Sequence, residues 1–210
     1  MRIVLENIEK KFNKDILFTS VNLIFELNNK YALIGANGSG KSTLLQIISS
    51  YLSPNKGSIS YVIKNKKIEA DQLFQYISIA APYLELIEEM TLIEFLEYHF
   101  SFKKNKIGIH EMISLVNLDE AKNKPIEKFS SGMKQRVKLL QAFMSDTPIL
   151  LLDEPCSNLD QDGINLYHQL MEKYTDNRIV IVASNEQQEI AQCNTHIRIA
   201  SLKQKDGIKQ

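Results

Sequence analysis

The run Gly35-Ala36-Asn37-Gly38-Ser39-Gly40-Lys41-Ser42 limits what this chain can fold into more than any other segment. Glycine at 35 and 40 followed by Lys41 and Ser42 is the pattern of a loop whose backbone N–H groups cradle phosphate oxygens. The glycines permit torsions that turn successive N–H groups inward, at the positive end of the helix that follows. The flanks agree. Tyr31-Ala32-Leu33-Ile34 is a short apolar strand, and Leu44, Leu45, Ile47 and Ile48 form a helical stripe closed by Pro54 and Gly57. The expected ligand is a nucleoside triphosphate. Gly35, Asn37, Gly38, Ser39, Gly40 and Thr43 would form the cradle, Lys41 would reach the β- and γ-phosphates, and Ser42 would ligate Mg²⁺.

A metal partner is expected on a neighbouring strand. Ile149-Leu150-Leu151-Leu152 is fully apolar and ends in Asp153-Glu154. Acids at the end of a buried parallel strand lie on the ligand edge of an α/β sheet. Asp153 is placed to hold Mg²⁺ directly or through water, and Glu154 to orient and deprotonate an attacking water.

Upstream lies Phe129-Ser130-Ser131-Gly132-Met133-Lys134-Gln135-Arg136, followed by an amphipathic helix carrying Val137, Leu140 and Met144. Ser130 or Ser131 could serve as a simple N-cap. The segment also resembles the Leu-Ser-Gly-Gly-Gln signature of ABC ATPases, with Phe129, Ser131 and Met133 substituted and Ser130 and Gly132 kept. Ser157-Asn158-Leu159-Asp160 resembles the family's D-loop. The ordered set covers nearly the whole chain.

The resemblance implies a P-loop α/β core with an N-terminal antiparallel β portion and an inserted helical subdomain at about 83–146, in one domain spanning 1–210. It implies ATP and Mg²⁺ as cofactors and ATPase activity. Phe12 would stack on adenine. Ser130 and Gly132 would serve the nucleotide of a second subunit in a homo- or heterodimer that closes around two ATPs. Transmembrane permease subunits would be the partners, with substrate movement as the output and a cytoplasmic location on the inner face of the membrane. Tyr83, Leu84, Leu86 and Ile87 are candidates either for the groove that receives the permease or for subdomain core. Two other readings stay open: a soluble non-transport ABC ATPase, and a nucleotide-gated module with very slow hydrolysis.

Two positions depart from the family pattern. Pro82 stands where a magnesium-sensing glutamine is expected, and proline has neither a side-chain oxygen nor an N–H. Asn185 replaces the switch histidine after the strand Ile179–Ala183. Its amide can still donate a hydrogen bond to a γ-phosphate but cannot become cationic.

The remaining pattern is β structure over 2–34 and 58–80, with a polar turn around Lys64–Lys67. A helical stretch runs from the capping box Thr91-Leu92-Ile93-Glu94 to about Leu118, another helix spans about Asp160 to Tyr174, and 203–210 form a polar tail. Lys+Arg and Asp+Glu balance at 25 each, which argues against a nucleic-acid partner. No apolar run approaches the ~20 residues that cross a bilayer. Glu6 interrupts the N-terminus before a signal segment forms. Cys156 and Cys193 match no metal-ligand spacing and read as reduced thiols.

Overall fold

Alternation organises the N-terminal part. In β1 (Arg2–Phe12) and β2 (Asp15–Glu26), Ile3, Leu5, Ile8, Phe18, Val21 and Phe25 face inward while Asn22, Ile24 and Glu26 face out. The computed structural model describes residues 1–13, 15–63 and 66–202. β3 (Lys30–Ile34) leads into the phosphate loop and α1 (Lys41–Ile48). β4 (Lys56–Ile63) and β5 (Lys66–Ile68) then return to the first sheet, whose order is β2-β1-β4-β5, antiparallel throughout. The expected polar turn is therefore shorter than its sequence suggests. Lys66 and Lys67 belong to β5, while Lys64 and Asn65 lie outside the described residues. The tail 203–210 also lies outside them.

The second sheet is parallel. It adds β6 (Ile77–Ala80), β7 (Ile149–Asp153), β8 (Ile179–Ala183) and β9 (Thr195–Arg198) in the order β6-β7-β8-β3-β9. Its apolar strands are buried on both faces. Leu150, Leu152, Val180 and Val182 join a core shared with the helices, while Ile149, Leu151, Ile179 and Ile181 pack toward α1 and the antiparallel sheet. This is why these strands read as unbroken apolar runs.

The helical part holds α2 (Leu92–Phe102), α3 (Ile109–Leu115), α4 (Ser131–Met144) and α5 (Gln161–Lys173). The capping box at Thr91 forms as expected: Glu94 N donates to Thr91 Oγ1, and Thr91 N donates to Glu94 Oε2 at 2.8 Å. The helical stretch expected to about Leu118 forms as two helices, α2 and α3, separated by residues 103–108. Lys103-Lys104-Asn105-Lys106 offers no apolar stripe, and the backbone pairs with the end of α4 through Lys106 N to Met144 O (2.9 Å) and Asp146 N to Lys104 O (2.8 Å).

Arg178 locks the helices to the sheet. Only 2% exposed, it donates to the carbonyls of Thr147 (2.7 Å), Phe143 (2.9 Å) and Ser145 (2.6 Å) and to the Ser78 hydroxyl (3.1 Å). Burial lowers its pKa to about 10, so it remains a cation at neutral pH. Among the described residues no helix is long and apolar enough to cross a membrane.

Candidate active site

The phosphate loop joins β3 to α1 at the carboxyl edge of the parallel sheet. Gly38 and Gly40 have φ of 73° and 109°, and a Cβ on Gly40 would lie 2.8 Å from Phe18 Cζ, so glycine is required there on two counts. α1 begins at Lys41 with no side-chain cap and no acid in its first turn, which leaves its N–H groups to an anion. The buried Lys41 ammonium reaches back across the loop, donating to Gly35 O at 2.7 Å and Ala36 O at 3.4 Å. Ser39 lies inside the loop's curve with its hydroxyl buried and without a partner.

Asp153 ends β7 at 1% exposure, and neither carboxylate oxygen has a hydrogen-bond partner. Burial raises its pKa, opposed by the neighbouring Ser42 hydroxyl and, after Glu154's contrary push, by the Lys41 ammonium. An orphaned buried carboxylate beside a serine hydroxyl is a donor set of hard oxygens, and it fits a small divalent cation such as magnesium.

Glu154 follows in the left-handed region, at φ 45°, with its N–H bonded to Ala183 O at 2.9 Å. Its side chain lines two adjoining clefts. The first, about 290 Å³, is bounded by Phe12, Leu17, Gly38, Gly40, Lys41, Ser42 and Thr43. The second, about 270 Å³, is bounded by Ser157, Ser184, Asn185 and Glu189. Asn37 also lines both. Asn185 spans the loop, with its Oδ1 accepting from Gly35 N (3.2 Å) and its Nδ2 donating to Asn37 Oδ1 (3.1 Å).

Phe12, half exposed beneath Lys10 Nζ at 5.1 Å from its ring centroid, is thus brought to the same cleft as the phosphate loop. Ser130 and Gly132 are not. They line a separate cleft of about 810 Å³ with Met133, Arg136, Asn158 and Asp160, and no residue is common to it and the two clefts at Glu154. Ser130 is also the N-cap of α4, since Met133 N donates to its Oγ at 3.2 Å, so its two readings coexist. Gly132 lies against the backbone of the segment after β7, and a Cβ there would be 3.0 Å from Asn158 O.

Three contacts at this site had no signal in the sequence. Gln135, buried on α4, donates to Pro155 O at 2.7 Å and ties the signature helix to the segment after Glu154. Glu189, also buried, accepts from Cys156 N at 2.7 Å, and burial raises its pKa. Tyr83 lies within electrostatic reach of Asp153. Nothing in the local pattern marks any of the three, because each matters through a neighbour distant in the chain.

The family model described as ABC transporter matches residues 18–157. The chain belongs to that family. An uncharacterized ABC transporter ATP-binding protein of Bacillus subtilis (strain 168), YybJ, is 33% identical over 198 residues, covering 90% of this chain and 88% of that one. A putative ABC transporter ATP-binding protein from Pyrococcus furiosus has the same fold, with a TM-score of 0.80 at 22% identity over 97% of this chain and all of that one. The ATP-binding cassette MJ0796, in a dimeric post-hydrolysis structure bound to ADP and Pi, gives a TM-score of 0.76 at 24% identity over 93% of each chain. The chain is an ABC transporter ATP-binding subunit, and its activity is that of an ATPase.

Proposed function

We propose that this ABC ATPase forms a homo- or heterodimer closing around two ATPs, and that hydrolysis powers substrate movement through transmembrane permease subunits. The observation that carries the reading is Asp153, a buried carboxylate without a partner, held beside Ser42 and Lys41 at the edge of a cleft that Glu154 lines.

In this reading Gly35, Asn37, Gly38, Ser39, Gly40 and Thr43 present the phosphate cradle. Lys41 swings its ammonium from the loop carbonyls to the β- and γ-phosphates. Ser42 and Asp153 hold Mg²⁺, which when bound supplies positive charge against the phosphate oxygens. Glu154 takes the proton of the attacking water, Asn185 fixes the far side of the loop toward the γ-phosphate, and Phe12 stacks on the base. Ser130 and Gly132, facing a separate cleft, complete the partner's site. The whole of 1–210 acts as one nucleotide-binding domain, with 83–146 as its helical subdomain.

A groove of about 430 Å³ between the two parts suits a permease element. Tyr51, Leu73, Phe74 and Leu84 line it, and Tyr51 and Phe74 are 75% and 54% exposed. Of the residues expected to form that groove, Leu84 lines it, Leu86 is buried in the subdomain core, and Ile87 lies at the surface. Docked there, the chain works on the cytoplasmic face of the membrane. Co-purification of the tagged chain with integral membrane proteins, lost on Tyr51→Glu/Phe74→Glu, tests the transport assignment. Recovery of soluble macromolecular complexes alone would move it to a non-transport ABC ATPase.

Asn185 offers a separate expectation. Its amide bonds both walls of the loop, so Asn185→Ala lowers kcat by about tenfold, the equivalent of ~1.4 kcal/mol of transition-state stabilisation. Asn185→His keeps kcat within about threefold, because an imidazole still donates. Steady-state turnover with the physiological partner present is the measurement. Equal rates for Asn, His and Ala would remove position 185 from the mechanism.

A further inference from the structure

Glu154 takes a left-handed backbone conformation, φ 45°, that a long side chain adopts only where its surroundings hold it there. The backbone groups around it show what does the holding. Pro155 has no N–H, so residues 154–156 offer two donors, Glu154 N and Cys156 N. Glu154 N donates to Ala183 O of β8 at 2.9 Å, and Cys156 N donates to Glu189 Oε1 at 2.7 Å. On the acceptor side, Ser157 N closes a turn onto Glu154 O at 3.1 Å, and Gln135 Nε2 reaches Pro155 O at 2.7 Å. Two side chains therefore grip the segment. Glu189 is the more critical, because a buried N–H without an acceptor is tolerated less well than a carbonyl that loses one donor.

Glu189 is itself fixed. It lies in the single turn α6 (Gln187–Ile190) and is only 3% exposed. Its N–H donates to Glu186 O at 3.0 Å, and its carbonyl accepts from the buried Tyr167 hydroxyl of α5 at 2.6 Å. Its second carboxylate oxygen, Oε2, is buried without a hydrogen-bond partner. A carboxylate buried with one oxygen unbonded is a costly way to fill space. Here it stands in the wall of the cleft that Glu154 and Asn185 also line, where it accepts from an N–H more strongly than a neutral group would.

We propose that Glu189 is a positioning residue for hydrolysis: by accepting from Cys156 N it holds Glu154 in its left-handed conformation, with the Glu154 carboxylate kept in the wall of both clefts. It acts through the backbone of Cys156 and touches neither the nucleotide nor the attacking water. The proposal rests on the reading of Glu154 as the general base.

Glu189→Met keeps the bulk of the side chain and removes the acceptor. Steady-state kcat, with the physiological partner present, falls about thirtyfold, within the ~10²-fold that a misplacement of about 1 Å costs. ATP affinity by calorimetry stays within about twofold, since the misplaced group acts on turnover and not on the phosphate cradle. Glu189→Gln restores kcat to within about threefold of the parent, because its amide oxygen still accepts from Cys156 N and no bond is lost at Oε2. Glu189→Asp keeps the charge but withdraws both oxygens by one methylene. It loses about tenfold, and it decides the matter if the Met variant does not fold. Added to Glu154→Gln, Glu189→Met lowers the residual rate no further, since the base that it positions is already gone. A further loss in that background overturns the proposal. So does a parental rate in the Met and Asp variants, a Gln variant as slow as Met, or an equal loss of ATP affinity, which would mean a merely structural role. If Glu154→Gln itself turns over at the parental rate, the base reading is wrong and Glu189 loses its role with it.

Discussion

Lys41→Ala leaves the chain without tight MgATP binding. The ammonium is buried at the start of α1, and its present partners are two loop carbonyls that a phosphate outcompetes, because charge-assisted hydrogen bonds are about twice as strong as neutral ones. Losing two such bonds at about 1.5–3 kcal/mol each weakens ATP by at least about a hundredfold. Isothermal titration calorimetry reads this directly. Lys41 also closes the loop on itself, so Lys41→Met, which keeps the stem and removes the charge, separates loss of the cation from loosening of the loop. Parental affinity in both variants would mean that the loop is not the phosphate site.

Glu154→Gln has the opposite profile: binding persists and turnover stops. The amide keeps the shape and accepts a hydrogen bond but cannot take a proton, and loss of a general base costs about 10²–10⁴ in kcat. Glu154 lies in a strained backbone conformation, at φ 45°, that glutamine shares at similar cost, so folding is unaffected. With hydrolysis blocked, the ATP-closed dimer accumulates and elutes early in size-exclusion chromatography with MgATP. A variant that hydrolyses at the parental rate would take Glu154 out of the base role. One that stays monomeric with ATP bound would count against the closing dimer.

How legible each part was depended on how local its cause is. The phosphate loop, the apolar strand ending in Asp153-Glu154 and the capping box at Thr91 are short patterns whose physics lies within ten residues, and each folds as read. The break at Lys103–Gly108 went unseen because the helical pattern resumes after it. The stop is set by backbone pairing with residues near 145. Arg178 gave no hint of its role, since its acceptors lie on β6, at the end of α4 and just beyond it. Tyr83, a candidate for the permease groove or for subdomain core, carries no sign in its own segment of a neighbour as distant as Asp153. Asn185 follows β8 as its place in the sequence implies, whereas the bridge that its amide makes between Gly35 and Asn37 depends on the fold around it.

The strand order also dictates when the nucleotide site can exist during synthesis. β3 carries the phosphate loop, yet both strands that flank it, β8 and β9, are made only at residues 179–183 and 195–198. The N-terminal β1–β2 hairpin can form early, because its pairing is local. The loop at 35–42 must wait, with its apolar strand unpaired, until most of the chain has left the ribosome. Non-local parallel pairing of this kind is slow and leaves exposed strand edges prone to aggregation in the interval. A nascent chain arrested before β8 therefore carries the whole phosphate-loop sequence but lacks the sheet that shapes it, so ATP can assist folding only in its last steps.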